Sequence, residues 1–289
     1  MPFLKLEKNA LPAILREIPQ PPKNLYLEGE LPAANENVFL AVVGSRKYSA
    51  YGKDVCRSLI EGLAGQAVVV VSGLALGIDT IAHEAALAAR LKTIAIPGSG
   101  LDRQVLYPSI NRRLADRILA AGGCLLSESE PLERATVWSF PRRNRLMAGL
   151  AQAVLVIEAT EKSGTLITAR MALDYNRDVL AVPGSIFSPS SFGTNRLIKQ
   201  GATPISSPAD LLEALHLEPE PPNDNRQEEL LANLSAPEKK IVELLKTEPR
   251  PRDEILRSSD LSASETNSIL MILEIKGLIK ETGSEIHLS

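Results

Sequence analysis

Cysteine and histidine are almost missing from this sequence. Its 289 residues include two cysteines, Cys56 and Cys124, and three histidines, His83, His216 and His287. Two thiols form no disulfide framework, and no Cys/His cluster has the spacing of a zinc site. The expectation is a reducing compartment and a chain without metal or other cofactor. Long apolar runs are lacking too: nowhere do the roughly 18 uninterrupted residues of a membrane-crossing helix occur. The opening stretch MPFLKLEKNALPAIL breaks its apolar residues with Lys5, Glu7 and Lys8 and carries no export-signal core. A soluble, cytoplasmic protein without a membrane partner is expected.

A strong charge of either sign is also absent. The net charge of -3 argues on average against a polyanionic partner, but it is unevenly spread. Residues 1–37 carry 4 basic and 5 acidic groups, residues 38–215 carry 19 and 15, and residues 216–289 carry 9 and 15. The central block is the part suited to a polyanion, provided its modest excess is concentrated locally.

What the chain does have is a series of short apolar runs from Val38 onward: VFLAVVG, AVVVVSG, TIAIPGSG, CLLSE, AVLVIEA and DVLAVPG. Near-continuous Val/Ile/Leu/Ala without polar alternation marks strands buried on both faces, hence a mostly parallel sheet covered by helices. A doubly wound, Rossmann-like α/β domain over 38–215 is predicted, with ligands at the carboxyl ends of its strands. Residues 1–37 read as a short proline-rich extension holding one helix, LPAILREI, and an extended lead-in. The stretch EPEPPNDNRQEE holds three prolines and five acidic residues and makes 216–233 a linker. After it, SAPEKKIVELLK opens with Ser235 as cap and Glu238 three residues on. Two more helical stretches and a terminal hairpin turning at Thr282 to Ser284 predict a small winged-helix domain over 234–289.

The turns carry the chemistry. VVGSRKYSAYG sets Gly44, Ser45 and Arg46 at a strand-to-helix junction, where backbone amides and a guanidinium fork suit a phosphate. An arginine paired with a nearby carboxylate at an ordinary βα turn would look the same. In SGLALGIDTIAHEAAL, Asp79 and His83 stand at i and i+4; without a nucleophile or metal-ligand set, they read as a structural hydrogen-bonded pair. After the third strand, Ser109 reads as a helix cap, and Arg112, Arg113 and Arg117 read as a solvated face. WSFPRRNRLMAGLA clusters Arg142, Arg143 and Arg145 beside Trp138 and Phe140, the ingredients of single-strand recognition by stacking and phosphate contact. The two aromatic residues could equally pack the loop down. Three like charges in four residues repel unless an anion lies nearby. In EATEKSGTLITA, Lys162, Ser163, Gly164 and Thr165 form a second phosphate cradle. GTNRLIKQGA adds Asn195 on the same sheet edge, where a plain helix cap is the other reading.

In this order, GSR with YG, SGLALGID with AH, PGSGLD with YP, FPRRNR with AGL, KSGTLITA, RDVLAVPG and GTNRLIKQGA resemble the DNA-processing protein A (DprA/Smf) family. The resemblance runs from about residue 19 to 215. It implies single-stranded DNA binding, self-association into homodimers and delivery of a RecA-type recombinase onto DNA, as in natural transformation, and a binding protein rather than an enzyme. By carry-over, Arg46 and Lys162 are the phosphate contacts, Gly44, Ser45, Ser163, Gly164 and Thr165 line the pocket, and Arg143 and Arg145 extend it. Two departures stand out: the N-terminal segment is too short for the helical domain of many members, and Ser127-Glu128-Ser129-Glu130-Pro131 replaces the frequent S-E-Y-P. The competing reading is a nucleoside-monophosphate phosphoribohydrolase on a related fold. Such enzymes use a glutamate where this chain has Thr168. A transcription factor acting through the winged helix is a poorer match, because SETNSILMILEIK holds one Lys and two Glu.

Overall fold

The six apolar runs all become strands of one sheet. The computed structural model describes residues 3–218, 234–245, 250–259, 261–275, 278–282 and 285–288. The sheet opens with two strands that the sequence pattern did not predict, β1 (Leu4–Glu7) and β2 (Asn24–Gly29). The six follow as β3 (Val38–Val43), β4 (Val68–Ser72), β5 (Lys92–Ala95), β6 (Cys124–Ser127), β7 (Ala153–Val156) and β8 (Asp178–Ala181), and a short β9 (Thr203–Pro204) ends the far edge. Their spatial order is β1-β2-β6-β5-β4-β3-β7-β8-β9. Neighbours from β6 through β9 are parallel, while β2 runs antiparallel to both β6 and β1.

Helices cover both faces: α1 (Ala13–Arg16), α2 (Ala50–Glu61), α3 (Ile78–Ala88), α4 (Arg112–Ala120), α5 (Ser139–Leu150), α6 (Thr165–Asp174), α7 (Phe192–Lys199) and α8 (Pro208–Ala214). Successive strand residues face opposite sides. Thus Phe39, Ala41 and Val43 pack with Leu146 of α5 and Ala169 of α6, while Leu40 and Val42 pack with Leu59 of α2 and Ala82 of α3. The chain adds β4, β5 and β6 on one side of β3, then returns to add β7 and β8 on the other. Strand order therefore reverses between β3 and β7, and the helices leaving those two strands diverge around a crevice at their carboxyl ends.

The N-terminal lead-in differs from expectation. LPAILREI shortens to α1, and the extended parts become β1 and β2. Leu11, Leu15 and Ile18 are buried in the main core. Gly149 of α5 makes room for them: a Cβ there would lie 2.9–3.1 Å from Ile18 and Leu15.

The chain divides into two compact units, residues 1–219 and 220–289. The second holds α9 (Ala236–Leu245), α10 (Arg252–Ser258) and α11 (Ala263–Ile275) with a three-stranded sheet ordered β10 (Arg250–Pro251), β12 (Glu285–Leu288), β11 (Ile279–Thr282). Ile241, Ile255, Leu273 and Ile286 form its own core, giving the winged-helix arrangement. Ser235 opens α9 by donating its amide and hydroxyl to the Glu238 carboxylate at 2.7 and 2.8 Å. Of the expected linker over 216–233, residues 219–233 lie outside the described residues, as do 283 and 284 of the expected terminal turn. Among the described residues, no helix is long and apolar enough to cross a membrane.

Candidate nucleic-acid interface

At the end of β3, Gly44 carries the chain over the start of α3. A Cβ at Gly44 would stand 2.6–2.8 Å from the Ile78 side chain, so packing itself demands glycine. The Ser45 carbonyl accepts the Ile78 amide at 3.2 Å and fastens the turn. The Ser45 hydroxyl is engaged within it, donating to the Lys47 carbonyl at 2.7 Å and accepting the Lys47 amide at 3.0 Å. Arg46 is left exposed, with its guanidinium carbon 5.0 Å from the centre of the Phe140 ring, a cation–π distance. No carboxylate forms an ion pair with it among the described residues, although its charge, with that of Arg143, helps pull the buried Asp79 carboxyl down.

The loop after β7 meets this turn. Thr165 donates its hydroxyl to the Gly44 carbonyl at 3.2 Å, and the Ser163 hydroxyl donates to Thr165 Oγ1 at 2.9 Å while accepting the Thr165 amide at 3.2 Å. Gly164 sits exposed at the N-terminus of α6. Lys162 is exposed and has no ion pair among the described residues. Both loops are anchored from below by Glu158, a buried carboxylate two residues beyond β7 that sequence reasoning missed. It accepts the Ser49 amide (2.9 Å), the Ser49 hydroxyl (2.6 Å) and the Ser190 hydroxyl (2.7 Å), tying together the loops after β3, β7 and β8. The available signal was an acidic residue closing an otherwise apolar run.

Between these loops and α5 lies a cleft of about 550 Å³ lined by Gly44, Ser45, Arg46, Arg143, Ser163, Gly164 and Thr165 among others. Lys162 stands beside that lining in sequence without being part of it. Arg145 and Asn195 are outside it as well. Arg145 is held by Glu128, with both carboxylate oxygens at 2.6 Å, and by the Gln20 carbonyl at 2.5 Å. Asn195 makes a two-point bond to the Gly184 backbone, at 3.0 and 3.2 Å, so it is not a helix cap. Arg142 lies 3.6 Å from both Glu128 and Glu133 and donates to the Ser129 hydroxyl at 2.9 Å. The anions that hold this arginine cluster together are therefore the protein's own carboxylates, and Ser129, which follows Ser127-Glu128 where the family pattern has tyrosine, adds a hydroxyl to that support.

Arg143 differs from its neighbours because it forms the cleft floor. Its Nη1 donates to the Ile96 carbonyl at 2.7 Å and lies 3.9 Å from Asp79, and its Nε is buried without a partner. Burial pushes the Asp79 carboxyl up, while Arg143 and the Ala75 amide pull it back. The expected Asp79–His83 pair does not form. His83 bonds instead to the Thr93 hydroxyl at 2.7 Å, because Asp79 turns toward Arg143 and its own loop. Ser109 makes no cap bond. Cys56 and Cys124 are both buried free thiols pushed up to about 12 by burial. Among the described residues, no group of three His, Cys, Asp or Glu side chains could hold a metal ion.

Fold and cleft define a class: a doubly wound α/β protein with a cation-rimmed crevice at its switch point, followed in the chain by a winged-helix unit. Within that class, the chain belongs to the DNA recombination-mediator protein A family, whose model matches residues 3–216, and residues 217–283 match the DprA winged helix domain. The match thus includes β1 and the winged helix, which the motif resemblance left out. Protein Smf of Escherichia coli is 39% identical over 262 residues, covering 89% of this chain and 69% of its own length. The X-ray structure of DprA from Streptococcus pneumoniae superposes with a TM-score of 0.68 at 42% identity, covering 73% of this chain and 74% of that one. A structure of DNA processing protein A from Helicobacter pylori, described for its single-stranded DNA binding mode, gives 0.66 at 32% identity, covering 74% and 95%.

Proposed function

We propose that the cleft binds single-stranded DNA through its phosphates and that the protein, as a homodimer, protects the strand and helps load a RecA-type recombinase onto it. The observation that carries this reading is the pair of exposed cations, Arg46 and Lys162, that form no ion pair among the described residues, on the loops following the two strands between which sheet order reverses. A cation without an internal counterion, beside backbone amides at a helix start, suits a phosphate. The family's description as a recombination mediator and the binding mode named for the Helicobacter pylori relative support the same assignment. In this reading Gly44, Ser45 and Arg46 hold one phosphate and Lys162, Ser163, Gly164 and Thr165 the next. Arg143 contributes positive potential from the floor, and Arg145 and Asn195 hold the surrounding loops in shape. Residues 38–215 bind the strand, 1–37 brace the sheet edge, and 234–289 form a separate interaction module beyond the 216–233 linker.

A binding role without catalysis is the second part of the reading. A phosphoribohydrolase needs a reactive carboxylate in the cleft, where this chain has Thr168. The carboxylate that does line the cleft, Asp79, is buried against Arg143 and the Ala75 amide. Titrating single-stranded and duplex DNA of one sequence, in parallel with incubation of the protein with AMP and with labelled single strands, tests both parts. Tighter binding of the single strand and no product are expected. Product formation that follows the protein through purification would overturn the binding reading.

A further inference from the structure

A second groove, of about 650 Å³, shares two wall residues with the cleft, Phe140 and Val137. Tyr107, from the loop after β5, forms part of the new wall; it is 48% exposed, with its ring centre 5.9 Å from that of Phe140 and tilted by 54°. Arg112, at the start of α4, and Arg134, from the loop after β6, also line this groove, and no carboxylate does. Arg134 is exposed and has no ion pair or side-chain hydrogen bond among the described residues. Arg112 donates one Nη to the Gln104 carbonyl at 3.1 Å, while its Nε is buried without a partner. The nearby acids are engaged elsewhere: Asp116 bonds Arg103 at 2.9 Å, Asp102 accepts the Gln104 amide at 2.8 Å, and Glu133 lies 3.6 Å from Arg142. The groove thus presents two cations and two partly open rings with no internal anion, which is the complement of a nucleic-acid strand rather than of a peptide or lipid tail.

We propose that this groove is a second subsite for the same single strand, with bases stacking on Tyr107 and Phe140 and with Arg112 and Arg134 taking phosphates beyond those in the cleft. The inference rests on the reading of the cleft as a single-strand site. Arg46, lying over Phe140, marks the junction between the two. The tilt between the rings means that successive bases cannot stack on both in parallel, so the strand turns as it crosses from cleft to groove. Stacking uses the π face that every base has, and the subsite is therefore tolerant of sequence.

The test compares wild type, Arg134→Ala and Tyr107→Leu on oligothymidylates of about four and about sixteen nucleotides, a span typical of single-strand sites. Fluorescence can be read from Trp138, the sole tryptophan, which is 82% exposed and adjoins Val137. Wild type should bind the longer oligomer more tightly. Each variant should lose roughly tenfold on the longer oligomer and little on the shorter, with an unchanged melting temperature. If both variants match wild type on the longer oligomer while Arg46→Ala weakens both lengths, the cleft is a binding site and the groove is not. Equal losses on the two lengths would merge these residues into the cleft and also defeat a separate subsite. Failure of wild type to bind either oligomer would overturn the cleft reading and this inference together.

Discussion

Two glycines of the cleft are there for different reasons. Gly44 is demanded by Ile78, which a Cβ would meet at 2.6–2.8 Å. Gly164 has an ordinary helical φ of -59°, and a Cβ there would meet nothing within 4 Å. Neither backbone nor packing calls for glycine at 164, whereas close approach of a phosphate to the α6 amides would. Gly164→Val should therefore leave the melting temperature nearly unchanged and weaken single-strand binding by roughly tenfold or more. Gly44→Ala should cost about 1–3 kcal/mol of stability in urea denaturation, through overpacking against Ile78. Wild-type affinity in Gly164→Val would move the strand away from α6. At this scale the sequence is a partial guide: G-S-R and K-S-G-T announce their cations, but whether an arginine is already paired depends on distant residues. Arg145 finds Glu128 and Gln20, and Arg143 finds Asp79 and Ile96, partners that nothing local to FPRRNR indicates.

Elements are easier to read than contacts, and the exceptions have a physical cause. β3 to β8 are buried on both faces and write themselves as apolar runs; β1 and β2 lie at the antiparallel edge, where exposed positions such as Leu4 and Lys5 dilute the pattern. His83 shows how one residue joins several elements. The Thr93 hydroxyl of β5 donates to the Val70 carbonyl of β4 at 2.7 Å, so His83 Nδ1 donates to Thr93 and the ring is buried in its neutral form. Burial, with the Arg143 charge, pushes His83 down to about 3 from its usual 6.5. Between those values the unfolded chain takes up a proton that the folded chain refuses, so stability falls on acidification by about 1.4 kcal/mol per pH unit. His83→Gln removes that dependence. Asp79, whose carboxyl is pushed up, contributes with the opposite sign and is present in both proteins. The stability difference between wild type and His83→Gln, from urea titrations between neutral pH and pH 4, should therefore shift against wild type as pH falls. Parallel pH profiles would show that His83 already binds a proton in the folded state.

On the scale of the whole molecule, the reversal of strand order between β3 and β7 brings the GSR and KSGT loops together although 116 positions separate Arg46 from Lys162. The winged-helix unit has a core of its own, and residues 216–289 carry 9 basic against 15 acidic groups, a balance that repels phosphates. Removing the chain from Gln227 onward, a point outside the described residues, should leave single-strand affinity nearly unchanged; a large loss without a change in assembly state would give this unit a direct part in binding. The central claim is that Arg46 and Lys162 each hold a phosphate. It is tested most directly by measuring single-strand affinity at several salt concentrations, with melting temperatures, for wild type, Arg46→Ala and Lys162→Ala. Each substitution should weaken binding to every sequence alike by roughly 1.5–3 kcal/mol and flatten the dependence of log affinity on log salt by about 0.7, at an unchanged melting temperature. An unchanged salt slope with a lowered melting temperature in both variants would contradict it and put the strand elsewhere on the protein.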